Sequence, residues 1–135
     1  MAFEFPRPAT AFPDVRAKIG ARGRVENPAH LAFIRQLPCL TTLSTYQIEA
    51  AHVRYRAPGK GSAGMGRKPD DCWVVPLSAL EHRTGPDAQH KSGEAEWWQR
   101  RGIDPVEVAR RLFEVSGDVE AGTAIVCDAW AAKHT

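Results

Sequence analysis

Three histidines and their neighbours carry the chemistry open to this sequence. His52 closes the run Ile48-Glu49-Ala50-Ala51-His52-Val53-Arg54, while His82 and His90 follow a second apolar run, Trp73-Val74-Val75-Pro76-Leu77. A segment rich in Gly, Lys and Arg lies between the two runs. Imidazole takes a proton from water near neutral pH, and it also binds divalent transition metals. Set on short rigid elements beside a cationic loop, the three supply the parts for metal-assisted phosphodiester hydrolysis. One ring would act as general base, and the others would hold an ion that offsets charge building on phosphorus and on the leaving oxygen.

Each residue also has a plainer reading. A single His at a strand end is more often a hydrogen-bonded structural residue. His82 and His90 read equally well as exposed histidines flanking a loop. They lie eight positions apart with Pro86 between them, so one unbroken helical face cannot carry both. A chain reversal at Gly85-Pro86 would bring them together. Asp71 is a turn residue beside Pro69 and Asp70, or else a carboxylate that reaches the metal or pins the Gly-rich loop. Glu49 alternates to the opposite strand face from His52 and is expected to face solvent. Glu81, next to His82, is a candidate acceptor to orient that ring. Trp73, Trp97 and Trp98 could stack on bases, but their apolar surroundings favour core packing.

The elements that must position these residues are readable in outline. Residues 1–25 hold prolines and basic residues without sustained periodicity, which predicts an extended or poorly ordered arm; residues 26–135 form the remaining domain. Asn27-Pro28 is a helix start, with Leu31, Ile34 and Leu37 at helical spacing and Pro38 as the stop. A strand is predicted over Tyr46–Val53, with Ile48, Ala50 and His52 on one face. Pro58, Gly59, Gly61, Gly64 and Gly66 make residues 57–70 a loop. Cys72–Leu77 follows as a short buried strand that Pro76 ends or places at an edge. Ser78 is a candidate N-cap for a short helix reaching His82 or Arg83, which Thr84-Gly85-Pro86-Asp87 then breaks.

Three further helices are predicted. One runs over Ser92–Arg101, anchored by Trp97 and Trp98 and stopped by Gly102. The next starts at Asp104-Pro105-Val106-Glu107 and runs to about Ser116, with Val108, Leu112 and Val115 inward. The last, Val119–Lys133, packs Ile125, Val126 and Trp130. The fold class is α+β: a small hairpin-and-helix core embedded in additional helices.

Composition sets the bounds. A chain of 135 residues, 43% hydrophobic and 25% charged, fits one folded domain and argues against wholesale disorder. Cys39, Cys72 and Cys127 are dispersed and odd in number, so no disulfide framework is expected. No apolar run is long enough for a membrane span and no secretory signal opens the chain, so a cytoplasmic protein without membrane contact is expected. Net charge is only +2, but Arg54, Arg56, Lys60, Arg67 and Lys68 fall within an acid-free stretch. That run offers a footprint for a phosphate backbone, though alone it reads better as a solvated loop.

Taken in order, Leu-Pro-Cys, Glu-Ala-Ala-His-Val-Arg, Gly-Met-Gly-Arg-Lys-Pro-Asp-Asp-Cys-Trp-Val-Val-Pro-Leu, His82 and Gln89-His90 resemble the YbcO-like family of prophage nucleases. That family belongs to the HNH, or ββα-metal, endonuclease group. The resemblance spans roughly residues 27–117 and includes Gly93-Glu94, Trp98 and Gly102-Ile103-Asp104-Pro105. It implies an HNH-like ββα-metal core and a metal-dependent endonuclease acting on DNA. His52 would be the base that activates water, and Asp71 would stand near the middle, Asn-like position. His82 would bind one divalent ion (Mg2+, Mn2+, Ni2+ or Zn2+), with His90 or Asp71 as additional ligand. Arg54, Arg56, Lys60, Arg67 and Lys68 would contact phosphates.

The chain departs from the family pattern at three places, one of them the extra Thr-Gly-Pro-Asp between His82 and His90. Ala51 stands where many relatives carry Asp or His. Thr42, Ser78 and Glu81 stand where further cysteines could hold a structural zinc beside Cys39, so no structural zinc is expected. These departures motivate the alternative, a non-catalytic nucleic-acid-binding module on an eroded HNH scaffold. The oligomeric state is left open, a homodimer included.

Overall fold

The computed structural model describes residues 18–19, 25–55, 70–91 and 93–133. It is a mixed α and β structure. Two short strands, β1 (Lys18–Ile19) and β2 (Val25–Glu26), pair antiparallel at its N-terminal side. The rest of the segment expected to be an arm lies outside the described residues.

Helix α1 (Pro28–Ile34) starts as its sequence dictates. The Asn27 side chain accepts the His30 N–H at 3.1 Å, and Pro28 takes the first position, where a missing N–H costs nothing. The helix is shorter than the spacing to Leu37 suggested. After Ile34 the backbone tightens, with Gln36 N–H donating to Phe33 O and Leu37 N–H to Ile34 O, both at 3.1 Å. Leu37 nevertheless stays in the core at 1% exposure, because a tightened last turn keeps the same side inward.

Strands β3 (Ile48–His52) and β4 (Val74–Ser78) form an antiparallel ribbon in which Ile48 faces Ser78, Ala50 faces Pro76 and His52 faces Val74. Pro76 does not end the strand, as one reading of the sequence had it; it sits at the middle. Its carbonyl points away from β3 and accepts Leu40 N–H at 2.9 Å, so its missing N–H also lies off the ladder. All five β4 residues are buried.

After β4 the chain makes a π-helical turn, Leu80–Thr84, rather than the short α-helix expected there. The cap position of this turn is Ala79 rather than the expected Ser78, whose Oγ nevertheless accepts Glu81 N–H at 3.3 Å. Gly85 N–H closes the turn on Leu80 O at 2.9 Å. A Cβ at Gly85 would lie 2.5 Å from that same oxygen, so only glycine fits this closure. A 3-10 turn, Gln89–Lys91, leads into α2 (Glu94–Arg101), which Gly102 ends at φ 71°. Helix α3 (Pro105–Glu114) is capped by Asp104, which accepts from Val106 and Glu107 N–H, and α4 (Val119–Lys133) follows. No helix among the described residues is long and apolar enough to cross a membrane.

The core gathers Phe33, Leu37 and Leu40 with Val75 and Leu77 of β4, Trp97 and Trp98 of α2, and the inner faces of α3 and α4. The two tryptophan rings meet edge to face at 4.9 Å, fully within the core. Helix α4 comes close to α1 at Gly122, where a Cβ would stand 2.7 Å from Phe33 Cζ and 3.0 Å from a Leu37 methyl. Gly122→Ala would gain roughly 1 kcal/mol of helix propensity. Overpacking against a buried ring typically costs about 1–3 kcal/mol. The expected outcome is a lower urea midpoint; an unchanged or raised midpoint would mean that Phe33 yields freely.

Candidate active site

The ribbon brings the sequence-predicted site residues together in two groups. His52, the last residue of β3, is 13% exposed, and its Nε2 lies 2.8 Å from Asp71 Oδ1. An ionised carboxylate only accepts hydrogen bonds, so this contact places the ring proton on Nε2 and the lone pair on Nδ1. Asp71 is itself held firmly. Its Oδ2 accepts Asn27 N–H at 2.8 Å, its own N–H donates to Val25 O at 3.0 Å, and Asp70 Oδ1 accepts Val25 N–H at 2.9 Å. Consecutive aspartates thus clasp the segment that enters α1, and the second of them orients His52. Both Asp71 oxygens are engaged within the protein, one by His52 and the other by Asn27 N–H.

The second group centres on Glu49. Expected to face solvent, it is instead only 26% exposed, its carboxylate gripped by two side chains of the π-helical turn. Oε1 lies 2.8 Å from His82 Nδ1, and Arg83 closes on both oxygens, at 3.0 Å through Nε and 2.7 Å through Nη2. Hydrogen bonding to Arg83, and then to His82, holds the Glu49 carboxyl below its ordinary range despite partial burial. The sequence did carry a signal for this. Glu49 shares its strand face with Ala51 and Val53, both fully buried, and a carboxylate in that phase needs partners.

His82 and His90 do converge. The reversal at Gly85-Pro86 brings their rings to 4.3 Å between centroids, nearly edge to face. With Nδ1 of His82 directed at Glu49, Nε2 is the nitrogen left for a ligand bond. Burial, then the electrostatic influence of His82 and Arg54, lower the His90 pKa, with Glu49 opposing, which favours the neutral ring that carries a lone pair. Among the described residues, no three or more His, Cys, Asp or Glu side chains surround a common point.

Glu81 does not orient His82. Neighbouring residues of a helical turn diverge in direction, and Glu81 turns the other way, accepting the Thr41 hydroxyl at 2.6 Å with Arg101 Nε at 3.6 Å. It belongs to a polar knot around Cys39. The Cys39 Sγ lies 3.4 Å from Thr41 Oγ1. Burial pushes this thiol up, but hydrogen bonds from Thr41, Thr42 and the Ser78 backbone outweigh it and leave its pKa below the ordinary value. The four positions singled out from the zinc-site comparison (Cys39, Thr42, Ser78 and Glu81) therefore do cluster, linked by hydrogen bonds.

Of the cationic residues, Arg54 is exposed just past β3, its backbone N–H donating to both Glu94 carboxylate oxygens at 3.1 Å. Arg56, Lys60, Arg67 and Lys68 lie outside the described residues. Comparison of the chain with protein-family models, with curated proteins and with solved structures finds no match.

Proposed function

We propose that this chain is a metal-dependent endonuclease of HNH type that hydrolyses DNA phosphodiester bonds in a phage or prophage setting. The observation that carries the reading is a histidine oriented by a buried aspartate at the end of one strand, while two further histidines meet at the turn after the partner strand. Asp71 fixes the tautomer of His52 and stabilises the imidazolium formed when Nδ1 takes a proton from water, the role a carboxylate plays behind a general-base histidine. His82 Nε2 and His90 present imidazole donors suited to Mn2+, Ni2+ or Zn2+, with remaining positions open to water and phosphate oxygens, and Mg2+ would rely more on those oxygens. A divalent ion bound there would polarise the scissile phosphate and stabilise the leaving oxygen. Arg54, with Arg56, Lys60, Arg67 and Lys68, would hold the strand by its phosphates.

Supercoiled plasmid incubated with the protein and each of Mg2+, Mn2+, Ni2+ and Zn2+ tests the reading. Nicked or linear product with at least one ion, and none in EDTA, is expected. The second reading, a nucleic-acid-binding module without catalysis, is favoured by the buried Ala51 at a position where relatives carry a ligand. Salt-sensitive DNA binding with no product in any ion would select it.

The Glu49 contact gives a separate expectation. Glu49→Gln keeps the size and an acceptor but removes the negative charge behind His82 Nδ1. Removing such a partner typically weakens metal binding about 10–100-fold. Calorimetric titration with Ni2+ should show a loss of that order, and an unchanged affinity would take Glu49 out of the metal site.

A further inference from the structure

His82 and His90 stand eight positions apart, and the chain between them must hold its shape for the two rings to meet. Its first half is fixed locally, by Thr84 Oγ1 donating to Ala79 O at 3.2 Å and by the closure of Gly85 on Leu80. Its second half is tied to α2 at Asp87. The Trp97 indole N–H donates to Asp87 O at 2.7 Å, and Trp97 is fully buried in the core. A buried indole N–H needs an acceptor, so the seating of this ring and the path of the loop are coupled.

Arg101 completes the tie. It follows Trp97 by four positions, on the same face of α2, and its guanidinium stacks over the indole at 4.2 Å from the ring centroid. From there Nη2 donates to the Asp87 carboxylate at 3.1 Å and lies 3.4 Å from Asp87 O, while Nε faces Glu81 Oε1 at 3.6 Å. Arg100 adds a longer contact to the same carboxylate, at 3.8 Å. The Arg101 side chain is 15% exposed, whereas that of Asp87 is 68% exposed. The cation is thus packed against the core and the loop carboxylate is its outer partner, so α2 is the fixed body. Glu81 directly precedes His82, and Asp87 lies three positions before His90. One planar fork touches both shoulders of the reversal.

We propose that Trp97 and Arg101 are positioning residues for the pair His82 and His90, holding residues 84–87 against α2 so that the two imidazoles face one ion. The extra Thr-Gly-Pro-Asp between the histidines is then part of the site rather than damage to it. Its Asp87 supplies the carbonyl and the carboxylate that α2 grips. The inference rests on the metal-centre reading for what the rings bind, but not for what brings them together.

Arg101→Lys tests it. Lysine keeps the stem and the charge but offers one compact ammonium in place of a planar fork, so it cannot reach Glu81 and Asp87 together while stacked on the indole. In 1H NMR of the full chain in EDTA, Overhauser contacts between the His82 and His90 ring protons are expected in wild type and lost in the variant. Contacts between the Trp97 and Trp98 rings should be kept. Calorimetric titration with Ni2+ should show about tenfold weaker binding by the variant. Histidine contacts that persist in Arg101→Lys or are absent from wild type would overturn the proposal, as would equal Ni2+ affinities. A wild-type chain that binds no Ni2+ overturns the metal reading instead, and the histidine contacts alone then decide the tie. Should the variant lose the tryptophan contacts as well, the unaltered chain decides. Saturating Zn2+ should slow hydrogen exchange at the Trp97 indole N–H, because coupling between ion and tie is reciprocal, and an unmoved rate would reject it.

Discussion

His52→Ala is expected to lower metal-dependent cleavage by about 10²–10⁴-fold, the usual contribution of a positioned general base. The fold should survive. His52 stands at the very end of its strand, and its Nε2 contacts the Asp71 carboxylate at 2.8 Å. Its neighbours Ala50 and Ala51 show that small side chains suit this stretch. Asp71→Asn should behave differently. The carboxylate there meets two donors at once, His52 Nε2–H and Asn27 N–H, whereas an amide offers an acceptor to only one and turns its own N–H toward the other. Asp71→Asn is therefore expected to lose activity and stability together, because it also loosens the entry to α1. Plasmid cleavage under single-turnover conditions, set beside urea denaturation, separates the two variants. Wild-type cleavage by His52→Ala would end the assignment of the base, and a fully stable Asp71→Asn would end that of the clasp.

What the sequence disclosed and what it hid divide along a physical line. Local backbone chemistry was legible: Asn27 before Pro28, Asp104 before Pro105 and Gly102 after α2 each act within a few residues, and each marks a helix end in the structure. The ribbon and the place of His52 followed from strand periodicity, and the convergence of His82 and His90 from the breakers Gly85 and Pro86. The partners of the side chains were not legible, because they are set by tertiary approach. Asp71 meets Asn27 across 44 positions of sequence, and Glu49 meets His82 across 33. The π-helical turn was also hidden. It follows from how Gly85 closes on Leu80, and short apolar spacing cannot separate one kind of turn from another.

Acidification should destabilise the fold through His30, a histidine outside the proposed site. Its side chain is fully buried in α1 between Phe33 and Phe113, with Nδ1 2.7 Å from Ser116 Oγ and no partner for Nε2 among the described residues. Burial lowers its pKa from the ordinary 6.5 to about 4, and the nearby Asp71 carboxylate restores only part of the shift. Between those two values the unfolded chain takes up the proton and the folded chain does not. Stability therefore falls as pH drops through 6.5, and the penalty is complete below about 4. Relative to about pH 7.5, a shift of this size costs roughly 2–3 kcal/mol at about pH 4.5. His30→Leu fills a similar space with nothing to protonate, so it should lack this component while retaining the pH dependence of the carboxylates. Urea denaturation of both proteins at the two pH values checks the difference. Parallel losses in wild type and His30→Leu would show that another group, not the buried imidazole, sets the acid sensitivity of the fold.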